Sequence, residues 1–347
     1  MRSQIIKDKF GDFGSIIHKY DYYFEGKIKY NMEVVGDVKS FLVISPHKVV
    51  IQLDKGLILY DFITKSFITF DNSSNVQHYQ LYDQNNIVTY GYGYFKIWNL
   101  NPANNFISPS SIFEEEVRRV TGMYVLPDGR IALYGNINYI RIWNPYDNSI
   151  IRLEGHTDNI ESLCVLGRDQ LISGSGDNTI KIWDLSSYIV KRTLKGHSLG
   201  ISTVDLFNDL IISSDNEGQI RIWNYDGVFL RSIKAYDTIK KLLFISDKII
   251  GIYTYIRRKI ITIWNIHTGK VETIITKSKY DIYDIQLLPN GNILSISVTQ
   301  MLIFDVSGKF INGRKVNMNY GDQLFIMPLS SPIKILVNSK GKLLGLE

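Results

Sequence analysis

All five tryptophans of this 347-residue chain occupy one local pattern, Ile-Trp followed by Asn or Asp, and the pattern recurs at a nearly constant interval. Trp98, Trp143, Trp183, Trp223 and Trp264 end the runs FKIW, IRIW, IKIW, IRIW and ITIW, at spacings of 45, 40, 40 and 41 residues. A self-similar period of about 20–50 residues indicates repeats, each one supersecondary unit that buries its apolar side only against its neighbours. The period continues past the tryptophans. Tyr60 in LILYD stands 38 residues before Trp98, Phe304 in LIFD 40 after Trp264, and Leu344 a further 40 on.

The clearest unit runs from Gly155 to Asp184, GHTDNIESLCVLGRDQLISGSGDNTIKIWD. Ile160–Leu166, Gln170–Ser173 and Thr179–Trp183 read as three short strands separated by Gly/Asp/Asn turns. The Gly-His opening, the Ser-Gly-Ser-Gly-Asp turn and the Ile-Trp-Asp ending resemble a WD40 repeat. That resemblance implies an all-β, WD40-like β-propeller in which each repeat supplies a four-stranded blade. Eight sets of three inner strands are expected, ending at 60, 98, 143, 183, 223, 264, 304 and 344, with seven blades as the alternative. Lys27–Val35 reads as an outer strand without a blade, whereas the last set lacks an outer strand. Pairing the two would close the propeller and remove two exposed sheet edges. Residues 27–347 are therefore expected to form one propeller domain, preceded by an N-terminal arm, residues 1–26, that matches no repeat element.

In the resembled family, a His, a Ser, an Asp and the Trp of one blade form a buried hydrogen-bonded chain. The fourth blade carries His156, Ser173, Asp177 and Trp183 for it, and the fifth His197, Ser213, Glu217 and Trp223, with Glu217 in place of the usual Asp. The third blade has Leu133 and Ile137 at the serine and aspartate positions. A buried indole or imidazole N–H without an acceptor costs about 1–3 kcal/mol, so the sets read as structural. A propeller hydrolase is a distant alternative, because a Ser/His/acid set recurs. Neither a G-x-S-x-G elbow nor an oxyanion loop accompanies it.

Composition excludes several other classes. The only cysteine, Cys164, lies in an apolar strand, which rules out disulfides and Cys-based metal sites within the chain and implies a buried, inert thiol. No phosphate loop, H-E-x-x-H or EF-hand pattern is present, and the six histidines never take metal-like spacing, so no cofactor, metal or catalytic residue is assigned. A net charge of +5 with no basic run of five makes nucleic acid an unlikely partner. The apolar runs are too short to span a bilayer and the first residues lack signal-peptide character. A monomeric intracellular protein, cytoplasmic or nuclear, is expected.

The resemblance implies a non-enzymatic scaffold that binds protein or peptide partners on one face. Substrate recognition for a cullin-type ubiquitin ligase is the alternative, although the 26 leading residues are too few for an F-box or BTB domain. The Ile-, Asn- and Tyr-rich repeats are also similar to the WD-repeat portions of BTB/WD proteins of giant amoebal viruses, which implies a host-cell location. In the family, the turn between second and third strands and the connection into the next blade each project from a rim. If both open on one face, that face receives Tyr253, Tyr255, Arg257, Arg258 and Lys259 from an insertion in the sixth blade, with Lys277, Lys279 and Tyr280 from the following connection. Aromatic and basic residues together suit a hot spot for an acidic or phosphorylated partner. A second charged segment, Glu114–Arg119, reads as a solvated loop.

Overall fold

The computed structural model describes residues 30–346, leaving out 34–37, 46–47, 54–55, 62, 65, 71–75, 92–93, 102–108, 115–118, 236–238, 254–258, 289–290, 298–299, 316–322, 328–333 and 340–341. The proposed arm, residues 1–26, therefore lies outside the described residues. Among the described residues, 32 strands and no helix are found, arranged as eight four-stranded antiparallel sheets. No helix among them is long and apolar enough to cross a membrane.

Seven sheets are meanders of consecutive strands. In chain order they cover residues 38–70, 76–114, 120–154, 160–194, 201–234, 239–275 and 282–315. The eighth combines Gln323–Met327, Lys334–Ser339 and Lys342–Leu346 with Tyr30–Glu33, whose register runs from Tyr30 opposite Gly345 to Glu33 opposite Lys342. Backbone contacts divide the chain into two compact units. One holds the first, second and eighth sheets, the other the third to seventh.

Among the described residues, burial falls from the second strand of a meander sheet to its fourth, and this gradient explains the sequence pattern. Second strands such as Lys48–Leu53, Gln170–Ser175 and Leu210–Asp215 are buried at every position after the first. Both of their faces are covered, so they read as continuous apolar or small-residue runs rather than alternating ones. Fourth strands such as Ile189–Leu194 and Phe229–Lys234 are mostly exposed and carry charge. That is how a chain blunts an edge strand.

Each apolar cluster is shared by two successive sheets. Cys164, Ile172 and Ile182 of the fourth pack with Val204, Ile211 and Trp223 of the fifth, and Ile250, Ile261 and Ile263 of the sixth with Ile285, Ile293 and Phe304 of the seventh. In these clusters the apolar surface of one sheet is covered by the next, which is why one repeat is not a folding unit.

Two local devices recur. The Asp or Asn that follows the Trp position accepts backbone N–H groups of the turn into the fourth strand. Asp184 Oδ1 takes Ser186 N and Ser187 N at 2.9 and 2.8 Å, Asn265 Oδ1 takes His267 N and Thr268 N at 2.9 Å each, and Asp305 Oδ1 takes Ser307 N at 2.9 Å. This is the Asx-turn preference of those residue types. The second device is a register shift near the start of the first strand in all seven meander sheets, as between Ile160 and Ser162, Ile201 and Thr203, or Ile239 and Lys241. Such a bulge adds twist where one sheet must lean on the next.

Candidate functional site

In the fourth sheet the polar set forms one continuous chain. Trp183 Nε1 donates to Ser173 Oγ at 2.8 Å, Ser173 Oγ lies 2.7 Å from His156 Nε2, and His156 Nδ1 lies 2.7 Å from Asp177 Oδ2. Because the ionised Asp177 carboxylate can only accept, the neutral imidazole carries its proton on Nδ1, toward it, and Nε2 accepts the hydroxyl hydrogen of Ser173, whose oxygen receives the indole hydrogen. Burial holds His156 below the usual histidine value and outweighs the opposing hydrogen bond from Asp177, so the ring is neutral and the pair is not an ion pair at neutral pH. Burial alone would raise Asp177, but hydrogen bonds from the Thr179 side chain, His156 and Thr157 N together place it below the usual carboxylate value.

The fifth sheet repeats the chain with one correction. Trp223 Nε1 donates to Ser213 Oγ at 3.0 Å, and His197 Nε2 lies 2.8 Å from the same oxygen. The carboxylate on His197 Nδ1 is Asp215, at 3.0 Å, and not Glu217. Glu217 turns outward, its side chain 65% exposed and 3.8 Å from Lys234 Nζ. Asp215 ends the second strand, has no exposed surface, and its Oδ1 accepts Glu217 N and Gln219 N at 3.1 and 2.9 Å. Ser213 and Asp215 are two residues apart on a strand and so share a face, which places the acid beside the serine already bound to the ring. Burial keeps His197 below the usual histidine value despite its bond to Asp215.

A further member escaped the sequence reading. Trp98 Nε1 donates to Thr89 Oγ1 at 2.9 Å in the second sheet. The signal was available: Thr89 lies two residues after Ile87, the strand partner of Trp98, as Ser173 lies two after Leu171, the partner of Trp183. Elsewhere the position is filled differently. Leu133 occupies it in the third sheet, Gly251 in the sixth and Ser295 in the seventh, where Phe304 stands at the Trp position and has no N–H to satisfy.

These sets cannot perform hydrolytic chemistry as placed. Ser173 and Ser213 have no exposed surface, and each oxygen is already held by an indole and an imidazole. A substrate carbonyl has no approach to either. Cys164 is buried and its thiol is pushed far up by desolvation, which leaves it protonated. Among the described residues no three His, Cys, Asp or Glu side chains gather as a metal-holding group.

The sixth sheet offers a different environment. Tyr253 ends its second strand and pairs with Ile239 at the start of the first. Lys259 is exposed two residues before the third strand begins at Ile261, and Ile261 pairs with Ile275, the last residue of the fourth. Lys259 and Lys277 therefore extend beyond the same edge of the sheet. Exposed Lys279 and Tyr280 follow in the same connection. Lys277 Nζ sits 3.2 Å from the centroid of the Phe310 ring, and Ser278 Oγ donates to Tyr280 O at 2.6 Å. Tyr255, Arg257 and Arg258 lie outside the described residues, as do residues 115–118 of the acidic-basic segment.

Residues 147–184 and 189–224 match the family described as WD domain, G-beta repeat. Nuclear distribution protein nudF 2 of Penicillium rubens is 44% identical over 64 residues, 18% of this chain and 14% of that protein. Zinc metalloproteinase R519 of Acanthamoeba polyphaga mimivirus is 24% identical over 203 residues, 52% of this chain and 32% of that protein. The matched stretch thus spans at most about a third of either relative. Among solved structures, the computationally designed Ika8 protein aligns over 93% of this chain and 98% of its own with a TM-score of 0.71 and 16% identity. The WD40 β-propeller domain of Doa1 aligns over 79% and 92%, with a TM-score of 0.54 and 16% identity. The two family matches fall on the fourth and fifth sheets, which hold the complete Trp-Ser-His-Asp chains, so residues 147–224 are similar to WD40 repeats, and the all-β fold is similar to that of β-propeller structures.

Proposed function

We propose that this chain is a non-enzymatic scaffold that binds a protein or peptide partner through segments projecting beyond one edge of its sheets. The observation that carries the reading is a division of labour. The Ser/His/Asp sets are buried and fully engaged in holding the sheets, while Lys259, Lys277, Lys279 and Tyr280 stand exposed past a single edge of the sixth sheet. The antiparallel meander supports this placement. The second-to-third turn and the connection leaving the fourth strand must emerge from the same end. Tyr253, Tyr255, Arg257 and Arg258 belong to the same insertion in sequence. Arginine pairs with carboxylate or phosphate in bidentate fashion, so the partner is acidic or phosphorylated and association weakens as salt rises.

The test is a pull-down with the Arg257→Ala/Arg258→Ala double variant. Affinity for the main partner is expected to fall at least tenfold, about 1.4 kcal/mol, with the melting temperature unchanged. Equal recovery by variant and parent at physiological salt would remove this surface from the reading.

A further inference from the structure

Where the third sheet meets the fourth, the chain leaves a cleft of about 560 Å³, within the range of about 300–1,000 Å³ that ligand sites occupy. Its walls are the second-to-third turn and third strand of the third sheet, with Asn136 and Asn138, and the connection into the fourth, with Thr157 and Asn159. The equivalent space between the fourth and fifth sheets is filled. There Asn178 Nδ2 donates to Ser198 O at 3.4 Å, and the backbones approach so closely that a Cβ on Gly200 would lie 3.1 Å from Gly176 Cα. The cleft is thus absent from the next junction, although the repeat is the same.

Its chemistry is basic and amide-rich. Arg119 is exposed at the mouth, whereas Arg141 is a wall residue only 8% exposed. The Arg141 guanidinium is held by the Tyr139 ring, 5.3 Å from its centroid, and Nη2 donates to Tyr139 Oη at 2.9 Å. Arg152 packs on the same ring at 4.9 Å. Counterparts elsewhere are committed differently. Lys181 reaches Thr193 Oγ1 at 3.0 Å, and Arg221 packs on Trp223 and Phe229. Two acids lie nearby. Asp158 also lines the cleft, but its Oδ1 accepts Asn159 N at 2.7 Å and its carboxylate lies against Gly176 of the fourth sheet, while Glu154 is exposed opposite Tyr139.

We infer that this cleft seats an anionic side chain of a partner peptide, a carboxylate or a phosphate monoester, between Arg119 and Arg141. The amides of Asn136, Asn138 and Asn159 engage the flanking peptide groups. A planar guanidinium already oriented by an aromatic ring loses little freedom on pairing with such an anion. This inference rests on the scaffold reading, and its location is separate from the sixth-sheet cluster.

Calorimetric titration of the full chain with a glycine-flanked phosphoseryl peptide, the matching glutamyl peptide and inorganic phosphate tests it. At least one peptide is expected to bind saturably and at least fivefold tighter than inorganic phosphate. The exposed-position variants Arg119→Gln and Asn138→Asp should each weaken that peptide at least fivefold with the melting temperature unchanged, and Arg141→Gln should weaken it further. A Lys191→Gln variant, changed at an exposed position on the fourth strand of the fourth sheet, should bind as the parent does. Failure of both peptides to saturate, equal affinity for free phosphate, or undiminished binding by both exposed-position variants would overturn the assignment. Partner capture that persists while the peptides fail refutes the cleft and leaves the scaffold reading intact, whereas peptide binding by a chain that captures no partner does the reverse.

Discussion

His197 finds its carboxylate on the strand that carries its serine, whereas His156 finds one in the turn beyond. Two expectations follow for single residues. Asp215→Ala leaves a buried imidazole N–H without an acceptor and should cost about 1–3 kcal/mol, while Glu217→Gln should stay within about 0.5 kcal/mol. Urea denaturation of both variants checks this, and equal losses would return the carboxylate role to Glu217. The second expectation concerns pH. Burial depresses His156 and His197, so below about pH 6.5 the unfolded chain binds protons that the folded chain does not. Their contribution is complete above that value and is lost as pH falls toward the lower folded values. His156→Gln should flatten the decline in stability between pH 7 and 5, and an unchanged slope would show that other groups cause it. The fourth-sheet set was legible because all four members sit at the family spacing. The fifth was misread because spacing counts positions, while the acid is selected by which side chain shares a face with Ser213.

Among the elements, the third strands are alike in sequence yet solve the burial of their aromatic residue in different ways. Trp183 and Trp223 use a serine, Trp98 a threonine, and Trp264 lies over Gly251, where an added Cβ would come within 2.8 Å of its Cζ3. Gly251→Ala should therefore overpack the sixth sheet and cost about 1–3 kcal/mol, read as a lowered urea midpoint. A neutral result would mean that the indole has room to shift. The Asp or Asn after each of these positions was readable from its residue type, since a short acceptor side chain caps a turn locally. The bulges at residues such as Glu161 and Ser202 were not, because a one-residue excess on one strand appears only when the partner strand is laid beside it.

For the molecule as a whole, the eighth sheet draws strands from both ends of the described chain, Tyr30–Glu33 pairing with Lys342–Leu346. Deleting residues 1–36 strips that sheet of one edge strand and exposes the N–H and C=O row of its neighbour. A sharply lower melting temperature or soluble aggregates are expected, measured by thermal scanning and size-exclusion chromatography. A truncated chain as stable as the parent would show that this pairing contributes nothing to the fold.

The amino-acid sequence by itself determined the period, the three inner strands of each repeat, the capped turns and the burial of the aromatic residue at the repeat position from Tyr60 to Phe304, because each depends on residue type within a few positions or on recurrence at about 40 residues. Only the tertiary structure decided that Asp215 and not Glu217 faces His197, that Gly251 makes room for Trp264, and that the junction of the third and fourth sheets stays open beside Arg141 while the next junction is filled. These outcomes turn on distances between atoms of different strands or different repeats and on the volume left between them. No local pattern carries that quantity.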